Sequence, residues 1–502
     1  MQLSKFNVKN ADAKAVLLPA ENLFELPEKV LQFGTGVLLR GLPDYYIDKA
    51  NRRGIFNGRI VVVKSTVNGS SEAFEKQDNL YTLCIRGMKN GNNADENIIC
   101  SSISRVLSAK EEWDTILECA HNPQLQVIIS NTTEVGIQLV HDDIRKHPPV
   151  SYPGKLLSFL QERYNAFAGS KQSGFVIVPT ELITDNGKKL ESIVLELAHL
   201  NGMDEKFIEW VEKCNYFCNS LVDRIVPGKP DTVTKNKLED KFGYEDDLLT
   251  MSEAYSLWAI EGDEHVKEIL SFASADENII ITPDIEMYRE LKLRLLNATH
   301  TLSCGVAFLA GVPTVKEATD NKQLNAFMEM LMLKEIATAI PYNVSEKKAA
   351  EFGRSVLERF ANAQIQHYWH SITMNYTAKL KMRALPVLLK YYENYSAVPG
   401  CFATAFAAYL LFMKTNKQEA GIYYGNANGK EYAVNDEMAG YYYKLWLNNE
   451  PVALVNEVLQ DTDLWGTNLA SLPGFAAEVT DKLLLMMENG VLQTLQPKKV
   501  MA

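Results

Sequence analysis

Short, β-branched apolar runs alternating with amphipathic stretches constrain this chain more than any other feature, and they fill only its first part. Such runs stand at 29–33 (KVLQF), 59–64 (RIVVVK), 80–86 (LYTLCIR), 126–130 (QVIIS), 174–178 (GFVIV) and 278–282 (NIIIT). They are short and generally bounded by Gly, Asn or Pro, as buried parallel strands are. Helix-type spacing lies between several of them, notably at 42–53 and 109–120. This alternation predicts a doubly wound α/β domain. From about residue 283 the texture changes: 287–310, 325–340, 345–360 and 401–414 carry helical periodicity, and strand-like runs become scarce. The expectation is therefore an α/β domain over 1–285 and a mainly α-helical substrate domain over 286–502. No linker rich in Gly and Ser separates them, so a shared interface is expected, and clefts at such interfaces commonly hold ligands.

Composition narrows the function classes. Hydrophobic residues at 46% and charged residues at 23% match ordinary globular proteins and exclude a disordered or fibrous chain. Fifty-one basic against 63 acidic residues leave a net charge of −12. A field of that sign repels phosphate backbones and anionic bilayers, so neither nucleic acid nor membrane is an expected partner. An anionic small ligand would need a local basic pocket. Cys84, Cys100, Cys119, Cys214, Cys218, Cys304 and Cys401 are scattered with no C-x-x-C pair, which fits reduced thiols in the cytoplasm. Residues 1–14 are polar and no apolar stretch approaches 18 residues, so a soluble cytoplasmic protein is expected, as a monomer or small homo-oligomer.

The first strand runs into Gly34-Thr35-Gly36-Val37-Leu38-Leu39-Arg40-Gly41 and then a helical pattern. Glycines at such a turn let backbone N–H groups approach a pyrophosphate resting on a helix N-terminus. This Rossmann-type context is right, but Leu39 stands where the third glycine of G-x-G-x-x-G belongs, so a plain tight turn stays open. Arg40 offers a cation for phosphate; its plain alternative is a solvated helix arginine. The second strand ends at Lys64 with no acid for a ribose 2′-hydroxyl, which leaves NAD and NADP both open.

Lys292, Asn297 and His300 lie in one helical stretch, LKLRLLNATH. Oxidation of a secondary alcohol needs a base for the hydroxyl proton and donors for the oxygen as charge develops on it. Lysine, asparagine and histidine can fill these roles, whereas an ordinary polar helix face is the plain alternative. In a straight helix Lys292 and His300 differ by about 80° around the axis and about 12 Å along it. Either the segment departs from a straight helix, or an extended substrate bridges the two.

Five runs occur here in order: G-x-G-x-x-x-R after the first strand, QDNLYTL at 77–83, NTTEVG at 131–136, VDRIVP at 222–227 and K-x-R-x-x-N-x-x-H at 292–300. Together they resemble the long-chain mannitol dehydrogenase family of polyol and sugar-acid oxidoreductases. The resemblance implies a zinc-independent, NAD-dependent enzyme, so no metal is expected. It makes Lys292 the general base or acid, with Asn297 and His300 positioning the reacting oxygen. It puts Gly34, Gly36, Arg40, Lys64 and Asn131 at the cofactor, and Glu134 and Asp223 near the substrate. Hexitol-specific members carry a C-D-N run where this chain reads Pro179-Thr180-Glu181-Leu182, and a substrate arginine where it has Ser371. The P-x-E-L pattern and VSYPGKL at 150–156 are similar to the sugar-acid branch. A sugar acid has a carboxylate that a hexitol lacks, and His367, Lys379 and Arg383 are its expected partners through charge-assisted hydrogen bonds.

Overall fold

The computed structural model describes residues 1–65, 71–89, 91–132, 136–362 and 367–495. The chain divides into two compact units: Met1–Gly87 with Asn93–Ile285, and Met88–Asn92 with Glu286–Ala502.

The first unit is built on six strands, β1 (Glu28–Phe33), β2 (Arg59–Lys64), β3 (Ile103–Ser108), β4 (Val127–Ser130), β5 (Val176–Pro179) and β6 (Tyr216–Phe217). They form one sheet in the order β3-β2-β1-β4-β5-β6, and every neighbouring pair is parallel. Successive residues face opposite sides. Val30, Ile60, Val62, Val127 and Ile129 therefore pack into one core with Tyr46, Ile47 and Ala50 of the helix Pro43–Arg52. Leu31, Phe33, Val61, Val63 and Ile128 pack into the other, against the helices Tyr152–Ala166 and Asn186–Leu200. Burial on both faces explains why these strands read as continuous apolar runs. The sheet is a Rossmann-type parallel sheet, and its order reverses between β1 and β4.

Two departures from the sequence reading have physical causes. β3 went unrecognised because ISRVLS is interrupted by Ser104 and Arg105; it is an edge strand, and Arg105 closes a two-pronged ion pair with Glu28 at 2.9 and 2.9 Å. The runs expected at 80–86 and 278–282 do form strands, Tyr81–Lys89 and Ile279–Thr282, but outside the main sheet. The first pairs with Thr250–Glu253, and the second with Leu257–Glu261, whose other neighbour is Ser220–Asp223.

The second unit is mainly helical. Gly400–Phe412 lies at its centre with ten buried residues, packed against Phe475–Asn489 and Thr299–Leu309. Three helices contain π-helical segments, at Lys292–Ala298, Leu331–Ile336 and Leu380–Ala384. A three-stranded antiparallel sheet, Thr415–Glu419, Ile422–Ala427 and Lys430–Val434, was not expected. Its signal was in the turns. Ala420-Gly421 and Asn428-Gly429 all have positive φ, as two-residue hairpin turns require, and Asn-Gly is the strongest such dipeptide. All seven cysteines are free, and five of them are buried.

Candidate active site

The strand register sets the candidate cofactor site of the first unit. Phe33 stands opposite Val63 and Ser130, and Ser130 opposite Pro179. Gly34, Lys64, Asn131 and Thr180 therefore leave the sheet at one edge, its carboxyl end, where the strand order reverses. Ligands bind at such an edge in open α/β sheets. Gly34 has φ +127, and a Cβ there would stand 2.9 Å from the Asn131 carbonyl and 3.0 Å from Leu39. The Asn131 side chain donates to the Thr180 carbonyl and hydroxyl at 3.1 and 3.0 Å, which locks the two loops together.

Beneath the turn, Gln32 donates to the Gly34 carbonyl at 3.3 Å and Arg40 to the Thr35 carbonyl at 3.2 Å. Arg40 is buried, its guanidinium lies over Phe74 and Tyr81, and burial lowers its pKa. It braces the turn from within the unit and is not the solvated arginine of the plain alternative. Gly36 is exposed, with nothing within 4 Å of where its Cβ would be. A turn with carbonyls tied inward and an open glycine above it fits the pyrophosphate of a dinucleotide. The close helix packing assigned to a third glycine is made by Gly41, where a Cβ would stand 2.8 Å from Val226. The VDRIVP run carries that contact: Arg224 donates to the Gly41 and Glu253 carbonyls, and Asp223 is buried at the end of its strand. Glu134 lies outside the described residues.

A second set of candidate residues lies within the other unit. Lys292 and Asn297, five residues apart, would sit about 140° apart on an α-helix. The structure makes Lys292–Ala298 π-helical, so hydrogen bonds run i→i+5 and the fifth residue on returns above the first. His300 then follows Asn297 by one α-turn. Burial agrees: Lys292, Leu293, Asn297 and His300 are half-buried, while Arg294, Leu295, Leu296, Ala298 and Thr299 are buried. The trio thus shares the partly open side of one helix, which answers the angular objection to a straight one.

Facing His300 is a group the sequence named only in part. Its ring stacks on Phe360 at 4.3 Å and meets His367 and Trp369 edge-on at 5.0 and 6.0 Å. Burial, then His367, Arg359, Arg383 and Lys379, hold its pKa well below the ordinary value, so the ring is neutral near neutral pH. Burial also lowers His367, Lys379 and Arg383, and Arg383 lowers Lys379 further. Arg383 donates to the Thr301 hydroxyl at 3.3 Å, and that hydroxyl donates to the Asn297 carbonyl at 2.9 Å. His300 Nε2 and Arg383 Nε are shut off from water and have no hydrogen-bond partner among the described residues. Buried polar atoms are usually satisfied, so these two nitrogens leave hydrogen-bonding capacity unused beside Lys379 and His367.

Sequence reasoning missed Phe360 and Trp369, the walls around His300, and Glu181, which was noted only as part of P-x-E-L. Glu181 is buried at the carboxyl edge, where it accepts from Thr132 N–H at 2.8 Å and the Ser130 hydroxyl at 3.2 Å. Leu182, its neighbour, is 63% exposed and brings no amide.

A parallel dinucleotide-type sheet, a glycine turn at its switch point and a Lys-Asn-His helix define a nicotinamide-type dehydrogenase architecture. The mannitol dehydrogenase Rossmann-domain model matches residues 28–272 and the mannitol dehydrogenase C-terminal-domain model matches 284–487, and the chain belongs to that family of dehydrogenases. Its similar curated proteins bear a narrower name. The altronate oxidoreductase of Bacillus subtilis is 36% identical over 478 residues, 94% of this chain and 95% of its own. That of Halalkalibacterium halodurans is 34% identical, covering 94% and 93%, and that of Shigella flexneri 35%, covering 94% and 97%. Among solved structures, D-sorbitol dehydrogenase in substrate-free form shares the fold at TM-score 0.77 and 19% identity, covering 99% of this chain and 100% of its own. Pseudomonas fluorescens mannitol 2-dehydrogenase, in a ternary complex with NAD and D-mannitol, does so at 0.66 and 21%, covering 99% of each. Among the described residues no helix is long and apolar enough to cross a membrane.

Proposed function

We propose that this protein interconverts the keto acid D-tagaturonate and the alcohol D-altronate, using NAD(H), in the cytoplasm. The observation that carries this reading is the basic cluster of His367, Lys379 and Arg383, with an Arg383 Nε that has no hydrogen-bond partner among the described residues. A neutral hexitol has no group that needs two cations. A sugar-acid carboxylate does, and the relatives named altronate oxidoreductase agree with that choice.

A nicotinamide cofactor, when bound, supplies a hydride for reduction and takes one up in oxidation. Gly34, Gly36 and Asn131 would hold its pyrophosphate, with Arg40 bracing the turn and Lys64 over the adenine ribose. In reduction, Lys292 gives its ammonium proton to the ketone oxygen. Asn297 Nδ2 and the neutral His300 ring donate to that oxygen as charge gathers on it. In oxidation Lys292, now neutral, takes the hydroxyl proton back. Lys379 and Arg383 bind the carboxylate with His367 and so fix which carbon stands over the helix. By the family resemblance, Glu134 and Asp223 would assist proton traffic and the lysine.

The test is a side-by-side assay of D-tagaturonate, D-fructuronate and D-fructose with NADH and with NADPH, read by nicotinamide absorbance. Tagaturonate with NADH is expected to have the highest kcat/KM. A preference for fructuronate or fructose moves the protein to another branch of the family. No turnover with any of the three leaves a silent sugar-acid or dinucleotide binder and refutes the proposal.

A further inference from the structure

The family motif at 292–300 contains an arginine that the chemistry above leaves without a task, Arg294. It does not lie on the half-buried side with Lys292, Asn297 and His300; it is 7% exposed and points into the second unit. All of its contacts are within that unit. Nε and Nη2 hold the Glu290 carboxylate at 2.9 and 3.1 Å, and Glu290 is itself 7% exposed. Nη1 donates to two backbone carbonyls far along the chain, those of Met382 at 2.7 Å and Arg383 at 2.9 Å.

These two carbonyls belong to the π-helical segment Leu380–Ala384, which carries Arg383 and follows directly on Lys379. The sequence explains why one of them needs an outside donor. Pro386 stands four residues after Met382 and has no N–H, so the α-helical hydrogen bond to the Met382 carbonyl cannot form. That carbonyl, in a half-buried setting, is left to a donor from outside its own helix. The planar guanidinium of Arg294 supplies that donor while its other edge is neutralised by Glu290, a fork geometry that a lysine ammonium cannot reproduce. Both π-segments therefore meet at one side chain, the first carrying Lys292 and Asn297 and the second carrying Arg383.

We infer that Arg294 is a positioning residue: with Glu290 it fixes the segment bearing Lys379 and Arg383 against the segment bearing Lys292 and Asn297, and so sets where the substrate carboxylate sits relative to the reacting carbon. The inference rests on the functional reading above, in which Lys379 and Arg383 receive the carboxylate. Arg294 touches no substrate in this account and acts through the backbone of residue 383.

The experiment crosses Arg294→Met with Arg383→Met and measures KM and kcat for D-tagaturonate and D-fructose, with NADH affinity as a control on the first unit. Arg294→Met is expected to raise the tagaturonate KM at least about tenfold, with little change for fructose or in NADH affinity. Because Arg294 acts through Arg383, the double variant is expected to match Arg383→Met alone within about twofold. Arg294→Lys, which keeps the charge but cannot serve both partners, is expected to lie between wild type and Arg294→Met. If Arg294→Met does not fold, Arg294→Lys crossed with Arg383→Met reads the same coupling. Additive losses in the double variant, or equal losses for tagaturonate and fructose, overturn the positioning role alone. A wild-type enzyme with no preference for the keto acid over fructose overturns the functional reading and the positioning role with it.

Discussion

Replacing Arg383 by methionine is expected to weaken the hold on a keto acid while making the resting protein more stable. Arg383 and Lys379 are half-buried cations four residues apart, and Arg383 lowers the lysine's pKa because like charges repel. The Arg383 Nε is closed to water and has no hydrogen-bond partner among the described residues. A buried donor in that state costs about 1–3 kcal/mol, and methionine of similar length removes it along with the repulsion. A stabilisation of about 1 kcal/mol shifts Tm upward by roughly 2–4 °C in a unit of this size. On the substrate side the arithmetic has the opposite sign. A charge-assisted hydrogen bond to a carboxylate contributes about 1.5–3 kcal/mol, which corresponds to a roughly ten- to hundredfold rise in KM when it is lost. The assay compares KM and kcat for D-tagaturonate and D-fructose in wild type, Arg383→Met and Lys379→Met, with Tm from scanning calorimetry. Each variant is expected to lose selectivity for the keto acid and gain Tm. A tagaturonate KM within about twofold of wild type, together with a lowered Tm, would show that these side chains brace the helix and bind no anion.

Lys292→Ala is expected to cut turnover by at least about a hundredfold while leaving NADH binding nearly intact, as measured by fluorescence titration; near-wild-type turnover refutes its role as acid and base. Glu335 gives a pH dependence of stability. It accepts from the Cys401 and Phe402 N–H groups at 2.8 and 2.9 Å, and burial pushes its carboxyl from 4.5 up to about 7. A raised folded-state pKa means that its contribution is complete below about pH 4.5 and is lost as pH rises through about 7. Between about pH 5.5 and pH 8 that difference amounts to about 2 kcal/mol. The opening free energy of the helix Gly400–Phe412, read from hydrogen exchange after correction for the intrinsic pH dependence of the rate, is expected to fall over this interval in wild type and not in Glu335→Gln; identical slopes would refute the assignment.

The sequence made the main sheet legible wherever strands are buried on both faces. RIVVVK can be little else, and its burial follows its pattern residue by residue. ISRVLS was opaque because an edge strand can expose an arginine and satisfy it laterally through Glu28. The polar hairpins after residue 414 carry little apolar signal, and only their turn dipeptides betray them. At the site, residue identity was readable and facing was not. Lys292, Asn297 and His300 look ill-matched only if 3.6 residues per turn is assumed, and no local pattern announces a π-segment. The role inferred for Arg294 was out of reach for a different reason: its acceptors are main-chain oxygens 88 and 89 residues away, and a carbonyl has no identity in a sequence. Lys379 and Arg383 were proposed through the charge of a sugar acid, whereas Phe360 and Trp369, which pack on His300, were hidden among ordinary core residues.

The seven free thiols have a consequence for how such an enzyme responds to oxidants. All seven have pKa values above the ordinary thiol value, chiefly through burial. Cys119 reaches about 11, and Cys84, Cys218 and Cys304 about 12. The thiolate is the reactive species, and at pH 7 a thiol of pKa 11 is ionised in roughly one molecule in ten thousand. Peroxide, glutathione disulfide and alkylating agents therefore meet very little thiolate at Cys84, Cys119, Cys218 and Cys304.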